Sequence, residues 1–132
     1  MQSEYRDYES YFKVSLISLV IFKMPVFKGI SNSEKKYVLR KMIEIEKRLS
    51  RTVNRFTSPN FDLRIFEYDT RDFWDVELEK KNKIYEAKIL VKFLDQSFEL
   101  SSSSLTELMK KIENNIMNFK KDFINWLKLM AK

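Results

Sequence analysis

Hydrophobic and polar positions in the first half of the chain form one short apolar run and one long helical stripe. Residues 14–22 are rich in β-branched and aromatic side chains, which predicts a buried strand and leaves a helix open as the alternative. Ser31 and Glu34 then fit a reciprocal cap at the start of a helix. Apolar residues follow at spacings of four and three and predict one buried helix face: Val38, Met42, Ile45, Leu49 and Val53.

The second half begins with strand-like segments. Apolar and charged residues alternate within residues 61–65, 74–78 and 87–93, and residues 80–83 form a charged turn. Phe98 and Leu100 either fold back after Asp95 or extend the same sheet. Ser104 and Glu107 suggest a second cap. A continuous helical stripe follows it to the end of the chain: Leu108, Ile112, Ile116, Phe119, Phe123, Trp126, Leu127 and Met130.

The predicted element order is therefore β–α–β–β–β–α. We expect an α+β fold in which two helices pack on one face of a four-stranded, mainly antiparallel sheet. Residues 1–12 are polar and tyrosine-rich and are interpreted as an N-terminal arm. Residues 13–132 are predicted to form a single α+β domain, a normal size for one core.

Two absences in the composition restrict the possible chemistry. The 132 residues include no cysteine and no histidine, so disulfides, thiolate metal sites and histidine-based catalysis are excluded. The acidic residues are scattered among lysines without a motif. We therefore expect a protein that is not an enzyme, with no catalytic residues, no metal, no cofactor and no small-molecule substrate.

The formal net charge of +6 is distributed unevenly. Residues 35–55 carry eight basic and two acidic side chains, and residues 105–132 carry six and three. Residues 56–104 carry seven basic and ten acidic side chains. The positive charge therefore lies on the two predicted helices, an arrangement that attracts polyanions such as RNA. The competing interpretation is that these are ordinary solvated helix faces.

Eleven basic residues are the candidate RNA-binding set. Lys36, Arg40 and Lys47 share one helix face, and Lys41, Arg48 and Arg55 repeat every seven residues. Two basic helices side by side would form a cationic surface that contacts phosphates. The full set is Lys36, Arg40, Lys41, Lys47, Arg48, Arg51, Arg55, Lys110, Lys111, Lys120 and Lys121.

The apolar run at residues 14–22 is too short to span a bilayer, and acidic residues precede it, unlike in a signal peptide. We expect a cytoplasmic protein without membrane contact, or one inside an organelle that has ribosomes.

The element order with basic helices resembles the ribosome hibernation-promoting factors, also called ribosome-associated inhibitor A or sigma-54 modulation proteins, in a short and divergent form. The local similarity lies in Phe27, Lys28, Gly29 and Ser31, then residues 37–42, then residues 46–48. Leu108, Met109 and Lys110 stand where that family usually has Ala-Ile-Asp. The resemblance implies binding to rRNA in the small-subunit groove for messenger and transfer RNA. Occupying that groove blocks translation and protects idle ribosomes under stress, and the implied contacts are Lys41 and its neighbours.

Two other functions remain open. One is a different double-stranded-RNA-binding-like module with the same electrostatics. The other is a protein–protein adaptor, or a secretion-chaperone-like subunit, whose basic surface only keeps it in solution. Exposure of Leu90 and Leu94 on the open sheet face would favour the adaptor.

Overall fold

A computed structural model of the chain describes residues 21–56 and 73–130, with side chains through residue 53 and through residue 129. The elements follow in the order β1 (Val26–Lys28), α1 (Asn32–Phe56), β2 (Trp74–Lys81), β3 (Ile84–Val91), β4 (Gln96–Ser102), α2 (Leu105–Asn118) and α3 (Lys120–Met130). The four strands form one sheet in the order β1–β2–β3–β4. The β1–β2 pair is parallel and the other two pairs are antiparallel, so the α+β class and the mainly antiparallel sheet are confirmed.

One face of the sheet is buried against the helices. In β2 and β3 the buried partners are Trp74 with Val91, Val76 with Ile89, and Leu78 with Ala87. The predicted stripe of α1 is buried throughout, and buried residues of all three helices join the same core. The opposite face of the sheet presents the alternate, mostly charged positions. The fold is therefore a layer of helices on one side of a sheet.

The β2–β3 and β3–β4 connections are both tight. Asn82 and Lys83 form a two-residue hairpin loop inside the predicted charged turn, closed by the pair Lys81–Ile84. A 3-10 turn at Lys92–Leu94 and a left-handed Asp95 then reverse the chain. The chain folds back after this turn and also extends the same sheet, so Phe98 and Leu100 lie in the edge strand β4.

Both predicted helix caps are present, but only the first is reciprocal. The Ser31 hydroxyl accepts from the Glu34 amide at 3.3 Å, and the Glu34 carboxylate accepts from the Ser31 amide at 3.1 Å. The Ser104 hydroxyl likewise accepts from the Glu107 amide at 3.3 Å. The Glu107 carboxylate instead accepts from the Ser102 hydroxyl at 3.0 Å, so it ties α2 to the end of β4.

The predicted last helix is two helices. α2 ends at Asn118, and Phe119 adopts φ −97° and ψ 4° with its amide donating to the carbonyls of Ile116 and Met117. The break places the Phe119 ring 5.3 Å from that of Phe98 on β4. Beyond it, the Phe123 ring lies 5.0 Å from Trp74. The apolar stripe is continuous in sequence, but the helix breaks at Phe119. The aromatic rings on the two sides of the break pack on two separate parts of the sheet.

The strand predicted at residues 14–22 is described only at its end. Phe22 forms an isolated parallel bridge with Trp74, and the regular strand β1 follows Pro25. The remainder of that prediction, the arm at residues 1–12 and the strand at residues 61–65 lie outside the described residues.

A buried carboxyl joins α1 to the edge of the sheet. Glu46 is fully buried, and its Oε1 atom accepts from the amides of Ile21 and Phe22 at 3.1 and 3.0 Å. The same segment pairs with β2, because the Trp74 amide donates to the Ile21 carbonyl at 3.0 Å. Burial raises the pKa of Glu46 well above its usual range, and the two backbone amides only partly oppose this.

We expect Glu46 to make folding stability pH-dependent. Its stabilising contribution is fully present below its unfolded pKa of 4.5 and is lost as the pH rises through the higher folded-state pKa. Glu46→Gln keeps an acceptor for both amides and carries no charge. The variant should therefore gain stability relative to the parent as the pH rises above 4.5, measured by urea unfolding across pH.

Glu46→Ala should lose roughly 2–5 kcal/mol of unfolding free energy, because two buried amides lose their acceptor. Glu44→Gln, at an exposed carboxyl on the same helix, is the control. Parallel pH curves for the parent and Glu46→Gln would contradict this assignment.

Candidate nucleic-acid interface

The two faces of the described structure carry opposite charge. The outward positions of the sheet hold five carboxylates, Asp75, Glu77, Glu79, Glu86 and Glu99, against three lysines, Lys28, Lys81 and Lys88. The helices on the other side carry most of the basic side chains. A polyanion is therefore attracted to the helix side and repelled from the sheet side.

Four basic side chains form a line on the outward face of α1, which we call the basic ridge: Lys36, Arg40, Lys47 and Arg51. All four are exposed, and their spacing of four, seven and four residues places them opposite the buried stripe. At 1.5 Å per residue the ridge is roughly 22 Å long. Among the described residues, Arg40 and Arg51 form no ion pair and no side-chain hydrogen bond, so both guanidinium groups face solvent.

A second basic line lies on the side of α1 that faces α2, where its side chains stay partly exposed. The Lys41 ammonium lies 3.3 Å from the Glu44 carboxylate and 5.7 Å from the centre of the Tyr37 ring. Arg48 donates to Glu113 of α2 at 2.9 Å. The seven-residue repeat therefore marks the side of α1 that meets α2, where carboxylates offset its charge. The side chain of Arg55, the last member, lies outside the described residues.

A small cleft separates α1 from α2 beside these pairs. Its volume is about 130 Å³, below the roughly 300 Å³ of typical small-molecule pockets. Across it, the Tyr37 hydroxyl donates to the Thr106 hydroxyl at 3.3 Å. The lining is Tyr37, Lys41, Glu44, Ile45, Thr106, Met109, Lys110 and Glu113. The cleft is a seam between two helices and is too small for a nucleotide.

The candidate lysines of the C-terminal helices do not share one surface. Lys110 is exposed on the rim of the cleft. Lys111 turns the other way, and its ammonium donates to the Ser101 carbonyl of β4 at 2.8 Å. Lys120 and Lys121 are exposed in the first turn of α3. The eleven predicted residues thus divide into the basic ridge, an interhelix line and separate lysines on α2 and α3.

Sequence reasoning assigned residues 80–83 only to a turn, although Lys80, Lys81 and Lys83 are all exposed there. The net charge of the segment does not reveal these lysines, because residues 56–104 are acidic as a whole. The signal that could have revealed them is a lysine in a two-residue hairpin loop, where glycine is preferred.

In comparisons with known proteins, no family model, no curated protein and no solved structure matches the chain. Within residues 21–56 and 73–130, no helix has both the length and the apolar character needed to cross a membrane. The class defined by the fold is an α+β domain with a basic helix layer and an acidic outer sheet face.

We expect Arg48→Ala to affect helix packing only slightly. The Arg48–Glu113 pair is partly exposed, so its removal should cost less than about 1 kcal/mol of unfolding free energy. Urea unfolding of the variant beside the parent measures the effect. A larger loss of stability would show that the pair does more to hold α1 against α2 than an exposed ion pair does.

Proposed function

We propose that the protein is a ribosome-binding inactivation factor that contacts small-subunit rRNA and occupies the groove for messenger and transfer RNA. The observation that carries this proposal is the basic ridge, which lies on the side of the domain opposite the acidic sheet face. One face can then meet phosphates while the other is turned away from them.

The observed order of elements also supports the proposal. A strand, a helix, three strands and a helix follow each other as in the hibernation-factor resemblance, with α3 as an additional helix. That family resemblance is itself part of the proposal. The resemblance is the basis for proposing the small-subunit groove as the binding site, and the charge pattern is the basis for proposing RNA as the ligand.

Binding would proceed through phosphates and shape. Arg40 and Arg51 can each engage a phosphate with two parallel hydrogen bonds, and the lysines of the ridge add point charges. A rigid helix lying along folded RNA reads backbone geometry more than base sequence. Inhibition then follows from steric occlusion and needs no catalytic group.

The alternative is a protein–protein adaptor or a secretion-chaperone-like subunit. The observation in its favour is exposed apolar surface on the outer sheet face, where Val26 is 51% and Ile84 is 39% exposed. Leu90 and Leu94, however, are half-buried, so the patch is small. Salt separates the two functions, because phosphate binding weakens steeply as salt rises and an apolar interface does not.

The decisive experiment is co-sedimentation of the protein with small subunits and whole ribosomes at low and high salt. We expect salt-sensitive, near-stoichiometric pelleting of the parent protein. Arg40→Gln with Arg51→Gln should weaken binding by about tenfold or more. The same double variant should lower the salt slope by about two, because each arginine neutralises one phosphate.

Lys88→Gln, at an exposed position on the acidic sheet face, is the control and should bind like the parent. A parent protein that stays in the supernatant at low salt would overturn the ribosome proposal. Binding that resists high salt would favour the adaptor.

A further inference from the structure

The strand β4 forms an edge of the sheet. Among the described strands it pairs only with β3, and its odd-numbered residues, Ser97, Glu99 and Ser101, are exposed. β4 contains no proline and no lysine, two residues that commonly protect an edge from pairing with another strand, and its only charged residue is Glu99. The edge is therefore open to an added strand.

The hydrogen-bond pattern of the sheet shows which backbone groups point to this edge. Just beyond β2 and β3, the Lys92 amide donates to the Phe73 carbonyl at 3.0 Å. Hydrogen-bonded pairs alternate along an antiparallel ladder, so the odd-numbered residues of β3 bond to the even-numbered residues of β4. The amides and carbonyls of the odd-numbered residues of β4 therefore point outward. In agreement, the Ser101 carbonyl accepts from the exposed Lys111 ammonium of α2 at 2.8 Å.

The sequence of β4 is nearly symmetric about Glu99. Phe98 and Leu100 flank it on the helix side of the sheet, where both pack against the core, and Ser97 and Ser101 follow on the outer side. Antiparallel pairing of β4 with itself, centred on Glu99, would place Phe98 opposite Leu100 and Ser97 opposite Ser101 of a second copy. In this register every outward amide and carbonyl of the strand meets a partner. The symmetry therefore favours a second copy of this chain over an unrelated strand.

Two charged side chains weaken this pairing without preventing it. The Glu99 side chains of the two copies would stand opposite each other, which is unfavourable for like charges. Lys88, the cross-strand neighbour of Glu99 on β3, flanks each carboxylate and offsets part of the repulsion. Lys111 would share the Ser101 carbonyl with an incoming amide, because a carbonyl oxygen has two lone pairs. A pair formed in this way is expected to be reversible.

We propose that the free edge of β4 is a pairing surface for a second copy of the chain, with the two β4 strands antiparallel and the twofold axis between the two Glu99 residues. Pairing would join two four-stranded sheets into one continuous sheet. The axis is perpendicular to that sheet, so both helix layers lie on the same side of it. This interaction is separate from RNA binding and does not depend on it.

The first test is analytical ultracentrifugation of the parent over a range of concentrations, in which we expect a reversible dimer. Glu99→Gln removes the like charges at the axis and should tighten the dimer by about twofold to fivefold. Glu77→Gln removes the same charge from the same outer face but on the interior strand β2, and should leave the dimer unchanged.

Ser97→Pro tests the role of the edge backbone. Proline removes an amide that points to the free edge and leaves the hydrogen bonds between β4 and β3 in place, so the urea unfolding midpoint should stay close to that of the parent. The dimer should weaken by about tenfold or more, because a carbonyl of each partner strand loses its donor.

Two charge variants test the register even if the proline variant does not fold. Ser97→Lys with Ser101→Lys, and Ser97→Glu with Ser101→Glu, should each be monomeric, whereas an equimolar mixture should form a dimer of one copy of each. If the parent and Glu99→Gln both stay monomeric, the proposal is refuted. It is also refuted by a dimer that survives in the separate charge variants or in a folded Ser97→Pro variant. Dimers restored only on mixing support the pairing.

Discussion

The hydrogen bonds from the amides of Ile21 and Phe22 to the buried Glu46 carboxyl determine how α1 sits on the sheet. A buried carboxyl must keep its donors, so a shift of α1 along the sheet would break these two hydrogen bonds as well as the apolar packing. The same segment pairs with Trp74 at the start of β2, so the helix, the edge segment and the sheet are tied at one point. The basic ridge faces away from the sheet because it lies opposite the buried stripe of the helix that is held in this way.

The start of α1 is held by different chemistry. Gly29 allows the turn before α1 to approach the Lys80 carbonyl, and Tyr85 on β3 donates to Glu34 in the first helical turn. The helix is therefore held at its start and near its middle by polar interactions, with the apolar stripe running between and beyond them. A helix fixed in this way presents its outward charges with a definite spacing, which recognition of RNA shape requires.

Periodicity predicted the faces of the elements well, because a buried stripe repeats at the period of its own helix or strand. The α1 stripe, the first cap and the alternation in β2 and β3 could all be predicted in this way. Periodicity does not say which neighbour a face meets. Arg40 and Arg48 are equally basic in sequence, yet only Arg48 finds a carboxylate on α2. Periodicity likewise could not predict the break at Phe119, because the apolar stripe continues through it. The break accompanies ring packing against two separate parts of the sheet.

In this protein, the net charge of a sequence segment does not predict the charge of the surface on which that segment lies. Residues 56–104 are acidic as a whole, and yet Lys80, Lys81 and Lys83 are all exposed around the β2–β3 turn, at one end of the sheet. Conversely, Lys111 belongs to a basic segment but donates to the β4 edge. A polyanion responds to the local field within about 8–10 Å at physiological salt, not to the total along the chain. The arrangement of a few fixed cations therefore decides what this surface can bind, and a net charge of +6 by itself does not.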